Sequence, residues 1–431
     1  MKLSKYNIFF FHEENYVGYN SLQGEFIMLV PELYELFKAA ENECNWRELE
    51  QIHVEFYNHL VEKGFLVPID FNELEEVKRI SRQTDFENDE LFELTVNPTM
   101  NCNFKCWYCY ETHIKKSRMS EETLITVSKL IDNILTEKTK LKEFNLSWFG
   151  GEPLLYFNNV IKPLLEINYP KVKNKGIKFS SGFTTNGLLL NQEIVDVCKK
   201  YNANYFQITL DGHRERHNQV RFISKQRGSY DEILANIFLC LKNKSEVSVR
   251  LNISEETFEK LPNIIEDFSI LTEEDRKYLS FSFHEVWQVE EDINGEVQEV
   301  VALFREAGFN TLYRGAYSDA IRESCYADKK NHALINYNGE VFKCTARDFE
   351  SKSREGILTE EGKINWNEIY DKRMHAKFKN KPCLECVILP MCNGGCSQHA
   401  MEREGKDYCV MGYDENKKLE IVKDKFLYLV S

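Results

Sequence analysis

The sequence predicts an α/β protein built on a parallel sheet, with a smaller unit before it and a cysteine-rich region after it. Three observations lead there. Between Leu91 and Val286, six strand-like segments alternate with helical ones. Residues 1–80 read instead as short strands followed by helices. Seven of the 13 cysteines crowd the last quarter.

Composition bounds the function. The 431 residues suffice for several domains, and 42% hydrophobic with 29% charged residues is an ordinary globular balance. Lys plus Arg number 55 against 69 Asp plus Glu, a formal net charge of −14. An acidic surface repels phosphate backbones, so no nucleic-acid partner is expected. The longest apolar runs fall short of a bilayer span and the start MKLSKYNIFFFHEE lacks a signal-peptide layout. A soluble, cytoplasmic protein with no membrane partner is expected. A reducing compartment leaves thiols unpaired, so clustered cysteines read first as metal ligands.

The elements follow in order. YNIFFFHEENYVGYNSLQGEFIMLV predicts short strands joined by turns at His12–Asn15 and Asn20–Gly24. Helices are predicted over Pro31–Ala40 and Asn45–Lys63, the second with Leu49, Ile52, Phe56, Leu60 and Val61 on one stripe and Gly64 stopping it. Strands followed by helices give a winged-helix-like outline for 1–80. Asn72–Glu90 reads as a connecting helix and linker. Strands are predicted at Phe92–Asn97, Phe144–Phe149, Lys178–Thr184, Tyr205–Leu210, Val247–Ile253 and Leu279–Phe283. Helices fall at Ser120–Leu135, Asn159–Ile167, Gln192–Tyr201, Tyr230–Leu241 and Glu256–Phe268. Such a series makes either a doubly wound sheet or a partial barrel. Residues 287–324 read as a bridging segment with a helix near Val297–Ala307, and 325–431 as the cysteine-rich region. Cys198 and Cys240 fall on apolar helix faces as core residues, and Cys44 has no expected role.

The chemistry-bearing motifs lie at strand ends, where α/β folds place ligands. After the first strand of the sheet, Cys102, Cys106 and Cys109 stand in CxxxCxxC spacing. Three thiolates can hold three irons of a 4Fe–4S cube and leave the fourth iron open to a small chelating ligand. Half a zinc site is the alternative. The second strand is followed by Gly150-Gly151-Glu152-Pro153, whose glycines let backbone approach a ligand closely. Thr184-Thr185-Asn186-Gly187 follows the third strand and Thr209-Leu210-Asp211-Gly212 the fourth. Their hydroxyl, amide and carboxylate groups suit a polar ligand containing a ribose.

In this order, CNFKCWYC, GGEP, TTNG and TLDG resemble the radical S-adenosylmethionine (SAM) superfamily over residues 91–286. The resemblance implies a partial (β/α)6 barrel in which Cys102, Cys106 and Cys109 bind a catalytic 4Fe–4S cluster whose open iron is chelated by SAM. It further implies Tyr108 near the adenine, and Gly150, Gly151, Glu152 and Pro153 at the SAM amino group. Thr185 and Asn186 would lie along the pocket, Thr209 or Asp211 near the ribose or carboxylate, and Arg221 on the SAM carboxylate. A solvated or ion-paired surface arginine is the other reading of Arg221. Family chemistry is reductive cleavage of SAM to a 5′-deoxyadenosyl radical that removes hydrogen from an unactivated carbon. The electron comes from a low-potential donor of the flavodoxin or ferredoxin class.

The later cysteines run Cys325, Cys344, Cys383, Cys386, Cys392, Cys396 and Cys409, more than one zinc site needs and nearly enough for two 4Fe–4S clusters. The pattern resembles the SPASM domain of peptide- and protein-modifying radical SAM enzymes. By that likeness Cys383, Cys386, Cys392 and Cys409 hold an outer auxiliary cluster, and Cys325, Cys344 and Cys396 an inner one. Two departures stand out. Members with a fully ligated inner cluster carry another cysteine shortly before the position of Cys325, and Thr311–Ser324 has none. The sulfatase-maturing branch places Asp directly after the cysteine matching Cys344, where Thr345 stands. The first function expected is a maturase that cross-links a ribosomally made precursor peptide, through thioether or carbon–carbon bonds, with residues 1–80 gripping its leader. The alternatives are an anaerobic sulfatase-maturing enzyme and a non-catalytic zinc-binding interaction protein.

Overall fold

The computed structural model describes residues 1–224, 226–258, 260–286, 293–313, 321–403 and 405–430. The chain forms two compact units that interleave along the sequence. One comprises Met1–Asn88, Gly315–Lys330 and Asp371–Ser431; the other comprises Asp89–Arg314 and Asn331–Tyr370.

After a short strand at Lys2–Leu3 that pairs antiparallel with Leu66–Val67, the first unit forms an antiparallel meander, β1 (Asn7–His12), β2 (Asn15–Asn20) and β3 (Glu25–Leu29), turning at Glu13 and Gly24 in positive φ. Helices α1 (Pro31–Asn42), α2 (Trp46–Ile52) and α3 (Val54–Glu62) follow. The single helix expected over Asn45–Lys63 is therefore two. His53 leaves helical geometry at φ −147°, and its Nδ1 accepts the Phe56 N–H at 3.3 Å, so one residue ends α2 and caps α3. The break removes Ile52 from the predicted stripe. It is 62% exposed, while Leu49, Phe56 and Leu60 pack with Phe37 and Trp46.

The connecting helix expected within Asn72–Glu90 is α4 (Glu73–Arg82), and it runs into a π turn at Gln83–Glu87 where the linker was expected. Asp85 there is buried and paired with Lys377 at 3.0 Å, and Lys377 also meets Asp328 at 2.8 Å. One ammonium thus joins the three chain segments of this unit. Two carboxylates around a buried cation balance the desolvation that a lone charge would suffer.

The second unit is organised by one sheet. Its strands are β4 (Leu91–Val96), β5 (Glu143–Trp148), β6 (Lys178–Thr185), β7 (Tyr205–Leu210), β8 (Glu246–Ile253), β9 (Leu279–Glu285) and β10 (Asn310–Tyr313). They lie parallel and side by side in chain order. A doubly wound sheet reverses its order at a switch point; this one does not, so right-handed crossovers put successive helices on one face, as in a partial barrel. Alternation matches. In β8, Val247, Val249, Leu251 and Ile253 are almost fully buried, and the intervening Ser248, Arg250 and Asn252 face the other side.

Helices α5 (Glu121–Glu137), α6 (Lys162–Asn174), α7 (Gln192–Lys200), α8 (Arg214–Val220) and α9 (Tyr230–Lys242) connect the strands. Ser120 caps α5 through its hydroxyl, 3.1 Å from the Thr123 nitrogen. The helix expected at Glu256–Phe268 is two short pieces, Glu255–Phe258 and Asn263–Phe268, parted just before Pro262, whose ring disfavours a helical residue ahead of it. Cys198 and Cys240 are fully buried in this core, and Cys44 is exposed.

A helix occupies Asn294–Glu306 of the expected bridging segment, whose residues 287–292 and 314–320 lie outside the described residues. Much of the cysteine-free stretch before Cys325 falls there too. Past it, β11 (His332–Ile335) pairs parallel with β4 at the opposite edge, matching Leu334 to Thr95. Hairpin strands β12 (Glu340–Phe342), β13 (Gly356–Leu358) and β14 (Ile364–Trp366) complete the sheet. Residues 331–370, Cys344 included, thereby belong with the parallel strands.

Candidate active site

The cysteine loop is fixed before any cofactor is considered. Thr99 Oγ1 donates to the Ser117 carbonyl at 2.6 Å and accepts the Asn101 N–H at 2.8 Å. The Met100 N–H donates to Ser117 Oγ at 2.9 Å, and Ile114 N–H returns to the Met100 carbonyl. These bonds close a loop after β4 that carries Cys102, Cys106 and Cys109 into one open cavity of about 930 Å3, mouth included. Burial pushes the Cys102 thiol up to about 12 and Cys109 to about 11, and raises Cys106 as well. Such thiols stay protonated until a cation stabilises their thiolates.

The second wall is the turn after β5. Gly150 and Gly151 have φ of +77° and +49°. A Cβ on Gly151 would lie 2.3 Å from the Asn101 carbonyl oxygen, and one on Gly150 2.5 Å from Asn97 Cγ. Only glycine lets this turn rest on the root of the cysteine loop. The Glu152 N–H ties down to the same Asn101 carbonyl at 2.8 Å. Behind the turn, the Glu152 carboxylate is 1% exposed and accepts from Thr185 Oγ1 (2.7 Å), the Asn186 N–H (2.8 Å) and the Leu154 N–H (3.0 Å). It therefore couples the β5 turn to the end of β6. Asn186 Nδ2 reaches on to Asn103 Oδ1 in the cysteine loop at 2.7 Å.

A third group closes the other side. Tyr108 hydroxyl donates to Asp211 Oδ2 at 2.6 Å, Arg221 Nε donates to the same oxygen at 2.6 Å, and Arg221 Nη2 donates to the Tyr108 hydroxyl. Asn252 Nδ2 bonds both Tyr108 and Asp211 Oδ1. Burial is the largest influence on the Asp211 carboxyl and raises it, but the Arg221 charge and the hydrogen bonds from Tyr108 and Arg221, with the neighbouring His217, together hold the group below the usual carboxylate range. Arg221 is 8% exposed, so its ion pair is internal, not on the surface.

Tyr108, Gly150, Gly151, Thr185, Asn186, Thr209 and Arg221 thus line the same cavity as the three cysteines, whereas Glu152, Pro153 and Asp211 stand behind its wall. Sequence reasoning passed over Glu111, His113, Arg250, Asn252 and Glu285, which also line it. Period-two polar positions in β8 could have pointed to Arg250 and Asn252. Glu111 accepts the Gly151 N–H at 2.7 Å, and burial raises its carboxyl to about 7.

Residues 96–268 match the model of the radical SAM superfamily. This stretch is a domain of the radical SAM superfamily. Its enzymes use a 4Fe–4S cluster and SAM, and the three thiols, the glycine turn and the polar strand ends on one cavity suit that pair. The non-catalytic zinc reading is set aside.

The radical SAM cyclopropyl synthase TigE of Paramaledivibacter caminithermalis is 24% identical over 408 residues, spanning 85% of this chain and 80% of that protein. Among solved structures, anSMEcpe with bound AdoMet and Cp18Cys peptide superposes with a TM-score of 0.59 at 19% identity, over 79% of this chain and 98% of the other. Streptococcus suis SuiB bound to precursor peptide SuiA gives 0.54 at 16% identity, over 94% and 98%. These structures share the fold of this radical SAM enzyme.

In the first unit, Cys383, Cys386, Cys392 and Cys409 come together. Burial raises Cys392 to about 12, and the charges of the other three add to that. Cys325 and Cys396 belong to the same unit and Cys344 to the other. Among the described residues, no three His, Cys, Asp or Glu side chains converge as one metal ion requires. A polynuclear cluster instead takes each thiolate on its own iron. No helix among the described residues is long and apolar enough to cross a membrane.

Proposed function

We propose that this radical SAM enzyme matures a ribosomally made precursor peptide by forming an intramolecular cross-link, thioether or carbon–carbon. The observation that carries the reading is the convergence of Cys102, Cys106 and Cys109 with Tyr108, Gly150, Gly151, Asn186 and Arg221 on one cavity at the strand ends. Cluster and SAM together supply a carbon-centred radical able to remove hydrogen from an unactivated C–H bond. The chain's own groups do the rest. Cys102, Cys106 and Cys109 hold the cluster, and the β5 turn presents backbone polar groups to the SAM amino end. Glu152 holds that turn to β6 from behind, and Thr209 and Arg221 border the ribose and carboxylate. The Tyr108–Arg221–Asp211–Asn252 network fixes the adenine side and keeps water from that wall.

Cys383, Cys386, Cys392 and Cys409 are assigned to an auxiliary 4Fe–4S cluster. A flavodoxin- or ferredoxin-class donor supplies the electron. The sheet of the first unit is covered on one face by α1–α3 and on the other by the C-terminal helix Glu415–Val430, through Phe10 and Phe426. A leader segment would therefore add to a sheet edge, with main-chain bonds giving affinity. Support for a peptide substrate comes from SuiB and anSMEcpe, both solved with peptides bound. The test is anaerobic turnover of reconstituted enzyme with a peptide encoded beside its gene. Expected are 5′-deoxyadenosine and a peptide that has lost two hydrogens. Conversion of a sulfatase-derived Ser or Cys peptide to formylglycine, with no change in the precursor peptide, would overturn the reading.

A further inference from the structure

The cavity contains a cation that forms no ion pair among the described residues. Arg250 lies on β8 on the same face as Ser248 and Asn252, in register with Thr209 of β7 and Ser282 of β9, and it lines the cavity. Its Nε donates to Asn252 Oδ1 at 2.9 Å, the only hydrogen bond its guanidinium makes among the described residues. Asn252 is itself held by Tyr108 and Asp211, so the bond at Nε orients the guanidinium and leaves the terminal Nη1 and Nη2 donors as an open fork.

The other charges around the cavity are already used. Arg221 is neutralised by Asp211. Glu111 accepts the Gly151 N–H. Glu285 lines the cavity and has an interaction of its own, but forms no ion pair with Arg250. Burial holds the Arg250 guanidinium below the usual arginine range, which marks a charge removed from water without full compensation. Its position within a strand separates it from most of the residues assigned to SAM, with Thr209, its register partner on β7, an exception. Most of those come from loops beyond the strand ends, whereas Arg250 is rooted within β8, three positions before its last residue Ile253.

We infer that Arg250 is the anchor for a carboxylate of the substrate, an Asp or Glu side chain or a chain terminus, held end-on by Nη1 and Nη2 inside the barrel. This rests on the peptide-substrate reading and narrows it to an acidic residue at or beside the modified position. Arginine suits the task because its planar fork matches a carboxylate bidentately and cannot lose its charge.

The experiment uses SAM-loaded, anaerobically reconstituted protein and two small probes, N-acetylglutamate N-methylamide and its glutamine counterpart. Wild type is expected to bind the glutamate probe about tenfold more tightly than the glutamine probe, the order of a charge-assisted pair over a neutral one. Arg250→Gln should bring that ratio to about one, and Arg250→Lys should restore part of it with the same cluster absorbance. Equal binding of the two probes by wild type would overturn the assignment, as would a ratio that persists in Arg250→Gln. So would an Arg250→Gln variant that weakens SAM binding and keeps the ratio, because the guanidinium would then serve the cofactor's carboxylate. The probes are not precursor peptides. A carboxylate preference without turnover of any precursor would leave the anchor standing and remove the maturase reading; turnover without preference would do the reverse.

Discussion

His217 makes an acid-sensitive support for the Arg221 wall. The ring is fully buried. The Asp211 backbone N–H donates to its Nδ1 at 3.2 Å, which fixes Nδ1 as acceptor and leaves the proton on Nε2, 3.0 Å from Ser229 Oγ. Ser229 Oγ in turn donates to the Arg221 carbonyl at 2.8 Å. A second proton on Nδ1 would face the Asp211 N–H, and burial pushes the imidazole pKa down to about 3. In the unfolded chain it lies near 6.5. Between these values the unfolded state binds a proton that the native state does not, so stability rises with pH and is lost on acidification. The two values give a loss of about 2 kcal/mol between pH 7 and pH 5 from this one group. His217→Asn retains a short acceptor for the Asp211 N–H and cannot titrate. At pH 7 it should be less stable than wild type by roughly 1–3 kcal/mol from lost packing and hydrogen bonding. That gap should shrink by about 2 kcal/mol at pH 5. Anaerobic urea unfolding followed by tryptophan fluorescence measures both. An unchanged gap at the two pH values would refute the reasoning, because other titrating groups cancel in the comparison.

Gly151→Ala should destabilise the protein by roughly 1–3 kcal/mol and weaken SAM binding, since the turn combines positive φ with a 2.3 Å Cβ approach to Asn101; equilibrium dialysis with SAM reads the second effect. Glu152→Gln places an amide NH2 against donors that now reach a carboxylate. A loss of roughly 1–3 kcal/mol is expected, visible as a lower urea midpoint with an unchanged slope. Cys106→Ala should abolish 5′-deoxyadenosine formation, measured by chromatography, whereas Cys392→Ala should retain some and stop product. Full product from the Cys392 variant would contradict the auxiliary role. Deleting residues 1–80 should weaken precursor binding; unchanged affinity by fluorescence anisotropy would remove the leader-grip assignment.

Much of the catalytic region was legible because its signals are local. Strand alternation, the Ser120 cap and turn glycines act over a few residues, and the spacing of Cys102, Cys106 and Cys109 is itself a short-range constraint. Helix continuity was less legible. The breaks at His53 and before Pro262 depend on a single residue's backbone choice, and that choice moved Ile52 from the expected core to the surface.

Long-range pairing decided the rest. Residues 331–370 joined the β4 edge because β11 found backbone partners there, an outcome that no spacing of Cys325 and Cys344 encodes. Asp85, in a charged stretch that reads as a connecting helix and linker, became the buried partner of Lys377, 292 positions away. Arg221, readable as a surface cation, was neutralised inside by Asp211, while Arg250, an unremarked polar position of an alternating strand, kept an open fork. The chain by itself specified which chemistry it carries, since ligand type and spacing are covalent facts. Which charges are answered and which remain available was settled only in the folded protein, because pairing and desolvation depend on distances that sequence separation does not set.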